Sequence, residues 1–174
     1  TDDLPSEVVK KFQAAGLKVI TTGYEYGSVK IIFRQYCFEV TTFRSDLSTD
    51  GRHAKVTFSS NIFEDAKRRD FTMNAIYMTI DGDIHDPISG LKDLINRHVR
   101  FIGNPKKRIS EDYLRVLRYF RFLSTYPESI DFIDDSIVQA CSDAVPRLKL
   151  LSSSRVWGEL QKILVSDNSY CVLK

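Results

Sequence analysis

The sequence predicts an α+β fold, in which a segment rich in β-strands is followed by an all-helical segment. Three early stretches are rich in Val, Ile, Thr and aromatic residues and are separated by glycines or a short polar pair; they are residues 17–22, 28–33 and 36–43. From Pro105 onward, apolar residues recur instead at the spacing of an α-helix, and later helices are predicted over residues 130–141 and 152–165. We therefore expect two domains, residues 1–104 and residues 105–174, with the boundary at this change of period.

Local signals predict the other elements of the first domain. Residues 4–15 predict a helix, because a proline lies near their start, apolar residues recur at helical spacing and a glycine follows. The polar residues 45–61 predict a long loop. Residues 75–80 predict a strand that turns back at Asp81-Gly82, and residues 98–102 predict one more strand.

Composition narrows the class of protein. Of the 174 residues, 43% are apolar, which is enough for a globular core. There is no apolar run of membrane-spanning length and no signal peptide, so we expect no membrane partner and a cytoplasmic location. The three cysteines and three histidines show neither disulfide nor zinc spacing, which favours a reducing compartment. The chain opens with Thr1 rather than Met, and the sequence leaves open whether Thr1 is a native start, a processing product or the edge of an excerpt.

The net charge of +2 conceals an uneven distribution. Residues 92–121 contain nine Lys or Arg and three Asp or Glu, whereas residues 127–143 contain five acids and neither Lys nor Arg. A local basic surface can bind phosphates even when the whole chain is nearly neutral. The basic segment therefore favours a phosphate-containing partner, and the acidic one is typical of a solvated helix face.

One predicted helix combines acidic and basic residues at helical spacing. Ser110 is a candidate N-cap for it. Arg115, Arg118 and Arg121 lie on the arc opposite the apolar residues, and Asp112 lies one turn before Arg115, so those two side chains can meet. Two interpretations stay open. The helix could be exposed with a surface ion pair, or its Asp and Arg could offer the acceptors and donors that read a nucleotide base.

Three motifs in order give a more specific signal. They are Arg-Arg-Asp-Phe-Thr-Met-Asn-Ala at residues 68–75, Asp-Pro-x-x-Gly with Asp-Leu at residues 86–94, and Glu-Asp-x-x-Arg at residues 111–115. On these motifs the chain resembles the family of tRNA nucleotidyltransferases (CCA-adding enzymes) and bacterial poly(A) polymerases. Residues 152–160 resemble the neck helix of that family, with Ser154 where an acid is usual. The resemblance implies a truncated, polymerase-β-like nucleotidyltransferase head with a mixed β-sheet, followed by an all-helical neck.

The resemblance also implies roles for individual residues. Glu39, on the third predicted strand, takes the place of the family's third active-site carboxylate. Six residues would bind the nucleotide, the first two at its sugar and phosphates, the next two at its base and the last two at its triphosphate: Arg69, Asp70, Asp112, Arg115, Arg118 and Arg121.

The implied reaction is the template-independent addition of CCA, or of A, to RNA 3′ ends, with CTP or ATP, Mg²⁺ and a tRNA or other RNA as partners. The Gly-Gly turn and Asp-x-Asp strand of the family are not found in the sequence. Asp81-Gly82-Asp83 has the spacing of the latter but falls in a predicted turn. We therefore expect the main metal ligands to be absent and the chain to be unable to catalyse alone.

Two alternatives remain beside this interpretation. The chain could be a non-catalytic remnant that binds nucleotide or RNA, or one half of a split poly(A) polymerase whose missing carboxylates come from a second chain. The motifs are common to CCA addition and poly(A) addition, so the sequence leaves that choice open as well.

Overall fold

The computed structural model describes residues 1–49, 54–126 and 133–173. The α-helices of these residues are α1 (Pro5–Ala14), α2 (Ile62–Arg68), α3 (Gly90–Ile95), α4 (Pro105–Glu111), α5 (Leu114–Thr125), α6 (Asp135–Ala144), α7 (Ser153–Leu164) and α8 (Tyr170–Leu173). Their strands are β1 (Lys18–Ile20), β2 (Ser28–Phe33), β3 (Tyr36–Thr41), β4 (Arg44–Thr49), β5 (Ala54–Phe58), β6 (Tyr77–Met78) and β7 (Ile84–His85). Short 3-10 helices are formed by Tyr24–Tyr26, Thr72–Ala75 and Val145–Leu150.

The described residues form two compact units. One contains residues 1–49 and 54–68, and the other contains residues 69–126 and 133–173. This content of helices and strands confirms the predicted α+β class. The domain boundary expected between residues 104 and 105 stays a prediction. No helix within the described ranges is long and apolar enough to cross a membrane.

The first unit is built on a three-stranded sheet in the order β1-β2-β3. On the central strand, Val29 and Ile31 are 1% and 2% exposed and share a small core with Val8 of α1. Alternation along β2 and helical spacing along α1 thus turn one face of each towards this core. The predicted helix and three strands are confirmed here. All strand pairings among the described residues are antiparallel, whereas a mixed sheet was expected.

The loop predicted over residues 45–61 is wrong over most of its length. Strands β4 and β5 pair there as an antiparallel ribbon, and α2 begins at Ile62. Polarity indicated a loop, but the Thr, Val and Phe residues of this stretch favour an extended backbone. Residues 50–53 lie outside the described ranges.

The hairpin predicted around Asp81-Gly82 is confirmed, because β6 pairs with β7 and Gly82 takes a φ of +95° in the turn. The strand expected over residues 98–102 is wrong. Within the described part of the chain, this segment forms only an isolated bridge between Phe71 and Phe101. The reason is that the chain turns into a 3-10 helix directly after Phe71, which ends the extended pairing.

The core of the second unit gathers around α5. Tyr119 and Leu123 are each 1% exposed and belong to the same apolar cluster as Phe71 and Phe101. The ring centroid of Phe71 lies 4.6 Å from that of Phe101 and 5.3 Å from that of Phe122. Aromatic pairs at such distances are stabilising beyond the area they bury. The first sequence motif is therefore anchored in the core by its own phenylalanine.

A break between α4 and α5 replaces the single helix that the sequence predicted. Ser110 is not its N-cap, because it lies inside α4. That helix begins at Pro105, and the side chain of Asn104 accepts a hydrogen bond from the N–H of Lys107 at 3.0 Å. Asn before Pro suits the cap and first position of a helix together, which outweighs a lone serine. The helix ends at Glu111, because the next residue, Asp112, has an extended backbone with φ −154° and ψ 107°.

The last helices agree more closely with the sequence patterns. The helix predicted over residues 130–141 is observed as α6, and residues 130–132 lie outside the described ranges. Its start is fixed by Asp134, whose side chain accepts from the N–H of Ser136 at 2.7 Å. Helix α7 confirms the prediction over residues 152–165.

Candidate functional site

Asp70 lies at the centre of a polar cluster in the second unit. It is 8% exposed, and its carboxylate accepts from the backbone N–H of Phe71 and from the side-chain amide of Asn74, both at 2.9 Å. The Nε of Arg118, on α5, donates to the other carboxylate oxygen at 2.5 Å. The structure therefore joins two of the predicted nucleotide-binding residues, Asp70 and Arg118, in one ion pair.

Electrostatics keep Asp70 ionised despite its burial. Desolvation acts to raise the pKa of this carboxyl, but the charge and hydrogen bond of Arg118 lower it, as do the hydrogen bonds from Asn74 and Phe71. The net pKa lies below the ordinary value of 3.8. A buried carboxylate that stays charged holds its arginine in a fixed orientation.

Arg69 is held by the same segment. Its Nη1 donates to the backbone carbonyl of Asn74 at 2.9 Å, and its guanidinium lies 4.8 Å from the ring centroid of Tyr77. Its own carbonyl accepts from Nη2 of Arg108 at 2.6 Å. Arg69 is thus tied at its guanidinium to the 3-10 helix and β6, and at its backbone to α4.

The predicted ion pair between Asp112 and Arg115 is wrong. Nη1 of Arg115 donates to Glu111 Oε2 at 2.7 Å and to the carbonyl of Arg108 at 2.6 Å. Asp112 instead accepts from Nη2 of Arg155, on α7, at 2.7 Å. The physical reason is the break at Asp112, since a residue with an extended backbone does not adopt the i,i+3 geometry of a helix.

Arg121, on α5, is held by a carboxylate of α7 and by a neighbouring aromatic ring. Its Nε donates to Glu159 at 2.6 Å, and its guanidinium lies 4.0 Å from the ring centroid of Phe122. Burial acts to raise the pKa of Glu159, but hydrogen bonds from Lys162 and Arg121 lower it overall. The side chain of Arg121 is 17% exposed, so it is less accessible than Arg118 at 30%.

Asp93 is a second buried carboxylate, and it contacts the first motif, residues 68–75, at Thr72. Asp93, of α3, is 6% exposed and accepts from Oγ1 of Thr72 at 2.5 Å and from Nε of Arg100 at 2.9 Å. Gly90, at the start of the same helix, lies so close that an added Cβ would overlap the carbonyl of Thr72. The second motif therefore packs against the first, and the carboxylate at that contact is buried and paired.

Glu39 lies in the first unit, on β3, opposite Lys30 of β2. It accepts from the Oγ of Ser28 at 2.6 Å. Across the described ranges, no three His, Cys, Asp or Glu side chains lie close enough to hold a metal ion. These residues therefore do not form a metal site by themselves.

The residues that hold the predicted site residues include several that were not predicted as site residues themselves: Asn74, Arg108, Glu111, Arg155 and Glu159. The last two are four residues apart on α7, and that spacing places them on one helix face. This spacing could have indicated that Arg155 and Glu159 act on the same helix face. Arg108 gives no such signal, because it stands in a run of three basic residues that is equally typical of a solvated surface.

The chain contains the fold of a nucleotidyltransferase head. Residues 1–100 match the family described as the poly A polymerase head domain, and the chain belongs to this family. Residues 132–174 match a second family, described as the probable RNA and SrmB-binding site of polymerase A.

Among curated proteins, the chain is similar to enzymes of CCA addition. It is 40% identical over 169 residues to the mitochondrial CCA tRNA nucleotidyltransferase 1 of Homo sapiens, covering 97% of this chain and 39% of that protein. It is 37% identical over 171 residues to the CCA-adding enzyme of Staphylococcus epidermidis, covering 97% and 41%. The chain thus spans about two fifths of the length of these relatives.

Solved structures agree with the sequence relatives. The CCA-adding enzyme of Bacillus stearothermophilus in complex with CTP superposes with a TM-score of 0.85 at 34% identity, over 99% of this chain and 40% of that one. A CCA-adding enzyme in complex with ATP superposes with a TM-score of 0.73 at 22% identity, a likeness that concerns the fold alone.

Proposed function

We propose that this chain binds CTP and ATP and selects the base during the addition of CCA to tRNA 3′ ends. The observation that carries the proposal is the ion-paired cluster of the second unit, in which Asp70, Asp112, Arg115 and Arg118 are largely buried and held by short contacts. Similarity to CCA-adding enzymes, one of them in complex with CTP, supports nucleotide as the ligand.

Base selection is explained by the chemistry of one acceptor beside one donor. Cytosine and adenine each present an amino donor next to a ring-nitrogen acceptor, whereas uracil and guanine present a carbonyl next to an N–H. A carboxylate can accept several hydrogen bonds and a guanidinium has five N–H donors. Asp112 and Arg115 therefore suit C and A and reject U and G, even while each keeps its present partner.

The remaining cations suit the charged part of the nucleotide. The pair with Asp70 uses Nε of Arg118, so we assign its two terminal nitrogens to the triphosphate. Arg69, fixed at Asn74, and Arg121, fixed at Glu159, are assigned to the sugar and phosphates as further donors. Asp70 serves in this proposal to orient Arg118 and as an acceptor for the ribose.

Turnover requires more than this cluster. In the proposal Glu39 contributes one carboxylate to metal-dependent transfer, and the other carboxylates come from a segment or a chain beyond these 174 residues. The support is the resemblance to a family that uses three, together with the greater length of the relatives. A cytoplasmic site of action stays a prediction.

Nucleotide binding by the chain, measured by calorimetry with CTP, ATP, UTP and GTP, tests the proposal. We expect CTP and ATP to bind about ten- to a hundredfold more tightly than UTP and GTP, the range of one bidentate base contact. Arg115→Ala should remove this preference. Arg147→Ala removes an equal charge from an exposed position and should leave it intact.

Incorporation assays separate the open alternatives. Labelled CTP and ATP are offered with Mg²⁺ and tRNA lacking its 3′ CCA. Incorporation by this chain alone would refute the claim that other carboxylates are required, and incorporation of A but not C would indicate poly(A) addition. Binding without incorporation favours a remnant or a split enzyme, and activity on mixing with a second polypeptide would establish the latter. Equal binding of all four nucleotides would refute base selection.

A further inference from the structure

Arg108 contacts both parts of the cluster. From α4, its Nη2 donates to the carbonyl of Arg69 at 2.6 Å, and its Nη1 donates to Glu111 Oε2 at 2.5 Å. The same oxygen of Glu111 also accepts from Arg115, and the carbonyl of Arg108 accepts from Arg115 as well. One residue thus links the backbone of the first motif to the arginine of the third.

The three charged side chains that make these contacts are largely buried. The side chain of Arg108 is 12% exposed, that of Arg115 is 13% exposed and that of Glu111 is 21% exposed. Charged groups removed from water to this extent need their partners, and loss of one partner leaves the others poorly solvated. A planar guanidinium can serve two acceptors in fixed directions, which a lysine ammonium on its flexible stem does less well.

We propose that Arg108 is a positioning residue that sets the base-reading geometry of Arg115 and couples it to the Arg69–Asp70 segment. It acts through Glu111 and through its own carbonyl rather than by touching the nucleotide. The inference rests on the proposed function, because it concerns how Arg115 is held while it reads the base. Without Arg108, Glu111 is released from one of its two cations and the guanidinium of Arg115 is free to move with it.

The test is base selectivity, which a purely structural role would not change. We expect Arg108→Gln to reduce the preference for CTP over UTP about fivefold or more, the effect of losing coupling between neighbouring charged groups. Arg108→Lys keeps the charge and should recover only part of the preference. Lys107→Gln, which removes a charge from the adjacent exposed residue, is the matched control and should change nothing.

A double variant distinguishes an effect of Arg108 that is exerted through Arg115 from a separate contact of Arg108 with the nucleotide. In an Arg115→Ala background, Arg108→Gln should cause no further loss of CTP affinity, because the residue through which it acts is gone. Thermal unfolding of each variant shows whether it is folded. If Arg108→Gln does not fold, Arg108→Lys is used for the selectivity test instead.

Unchanged selectivity in a folded Arg108 variant, or additive losses in the double variant, would overturn the inference and leave the proposed function standing. A preference that survives Arg115→Ala would refute the proposed function, and the inference with it.

Discussion

Replacing Asp70 with asparagine tests how far the cluster depends on a buried charge. The substitution keeps the size of the side chain and one acceptor oxygen, but removes the negative charge that faces Arg118 at 2.5 Å. The new amide NH₂ must face either Arg118 or the donors of Asn74 and Phe71, so one donor will face another. We expect both the stability of the second unit and nucleotide binding to fall.

The exposure of the two partners determines the size of the loss. Breaking a buried ion pair by neutralising one member costs about 3–5 kcal/mol. The Asp70 side chain is 10% exposed but Arg118 is 30% exposed, so the arginine regains part of its hydration. We therefore expect a loss of about 2–3 kcal/mol, which lowers the melting temperature of a protein of this size by about 5–10 °C.

The loss must also depend on pH with a definite sign. The pKa of Asp70 is lowered below its ordinary 3.8 in the folded protein, so the charge stabilises the fold above that value. This contribution disappears as the pH falls through the folded-state pKa. In urea unfolding, the gap between the parent chain and Asp70→Asn should be full at pH 7 and should shrink below about pH 4.

Asp83→Asn makes the same chemical change at an exposed turn residue and serves as the control. Equal stability of Asp70→Asn and the parent chain at pH 7 would refute the reasoning. So would a gap that stays constant down to pH 3.

Two further predictions concern contacts around the cluster. Gly90→Ala should destabilise the chain by about 3 kcal/mol in urea unfolding, because its Cβ would overlap the backbone carbonyl of Thr72. Gly158→Ala, in a helix with open space around the glycine, should instead be neutral or stabilising by up to about 1 kcal/mol; equal effects would contradict this. Arg155→Gln should weaken CTP binding severalfold, because it frees Asp112, while stability changes by about 1 kcal/mol or less at such partly exposed positions. Unchanged affinity would show that Asp112 is held without it.

Local sequence patterns were sufficient to predict elements that pack one face against a single core. Strand β2 alternates buried and exposed residues, and α7 buries one face at helical spacing, so both are visible in the sequence alone. The hairpin of β6 and β7 was predicted because a glycine with positive φ is needed at its turn. The family was predicted from motif order, which does not depend on packing.

Elements that depend on pairing or competition were not predictable in the same way. The ribbon of β4 and β5 is held by strand-to-strand hydrogen bonds, and its polar residues resemble those of a loop. The partners of the candidate site residues were missed for a related reason. Arg155 lies 43 residues from Asp112, and Arg118 lies 48 residues from Asp70, so no local spacing indicates these ion pairs.

The position of Asp112 shows why the spacing within the third motif was misleading. Helix α4 has seven residues, begins at the Asn104-Pro105 signal and ends at Glu111, directly before Asp112. The Oδ1 of Asp112 accepts from the N–H of Leu114 at 3.1 Å, so the residue that follows one helix also holds the first residue of the next. Lengthening α4 by one residue would rotate α5 by about 100° around the axis of α4.

A residue at such a corner is fixed by the backbone on both sides and by Arg155, and it needs no pairing with Arg115. Arg115 is fixed separately, by Glu111 and the carbonyl of Arg108. Two groups that were paired with each other would use part of their hydrogen-bonding capacity on that pair. Two groups with separate supports can contact a base together, so these separate supports favour base reading over a surface salt bridge.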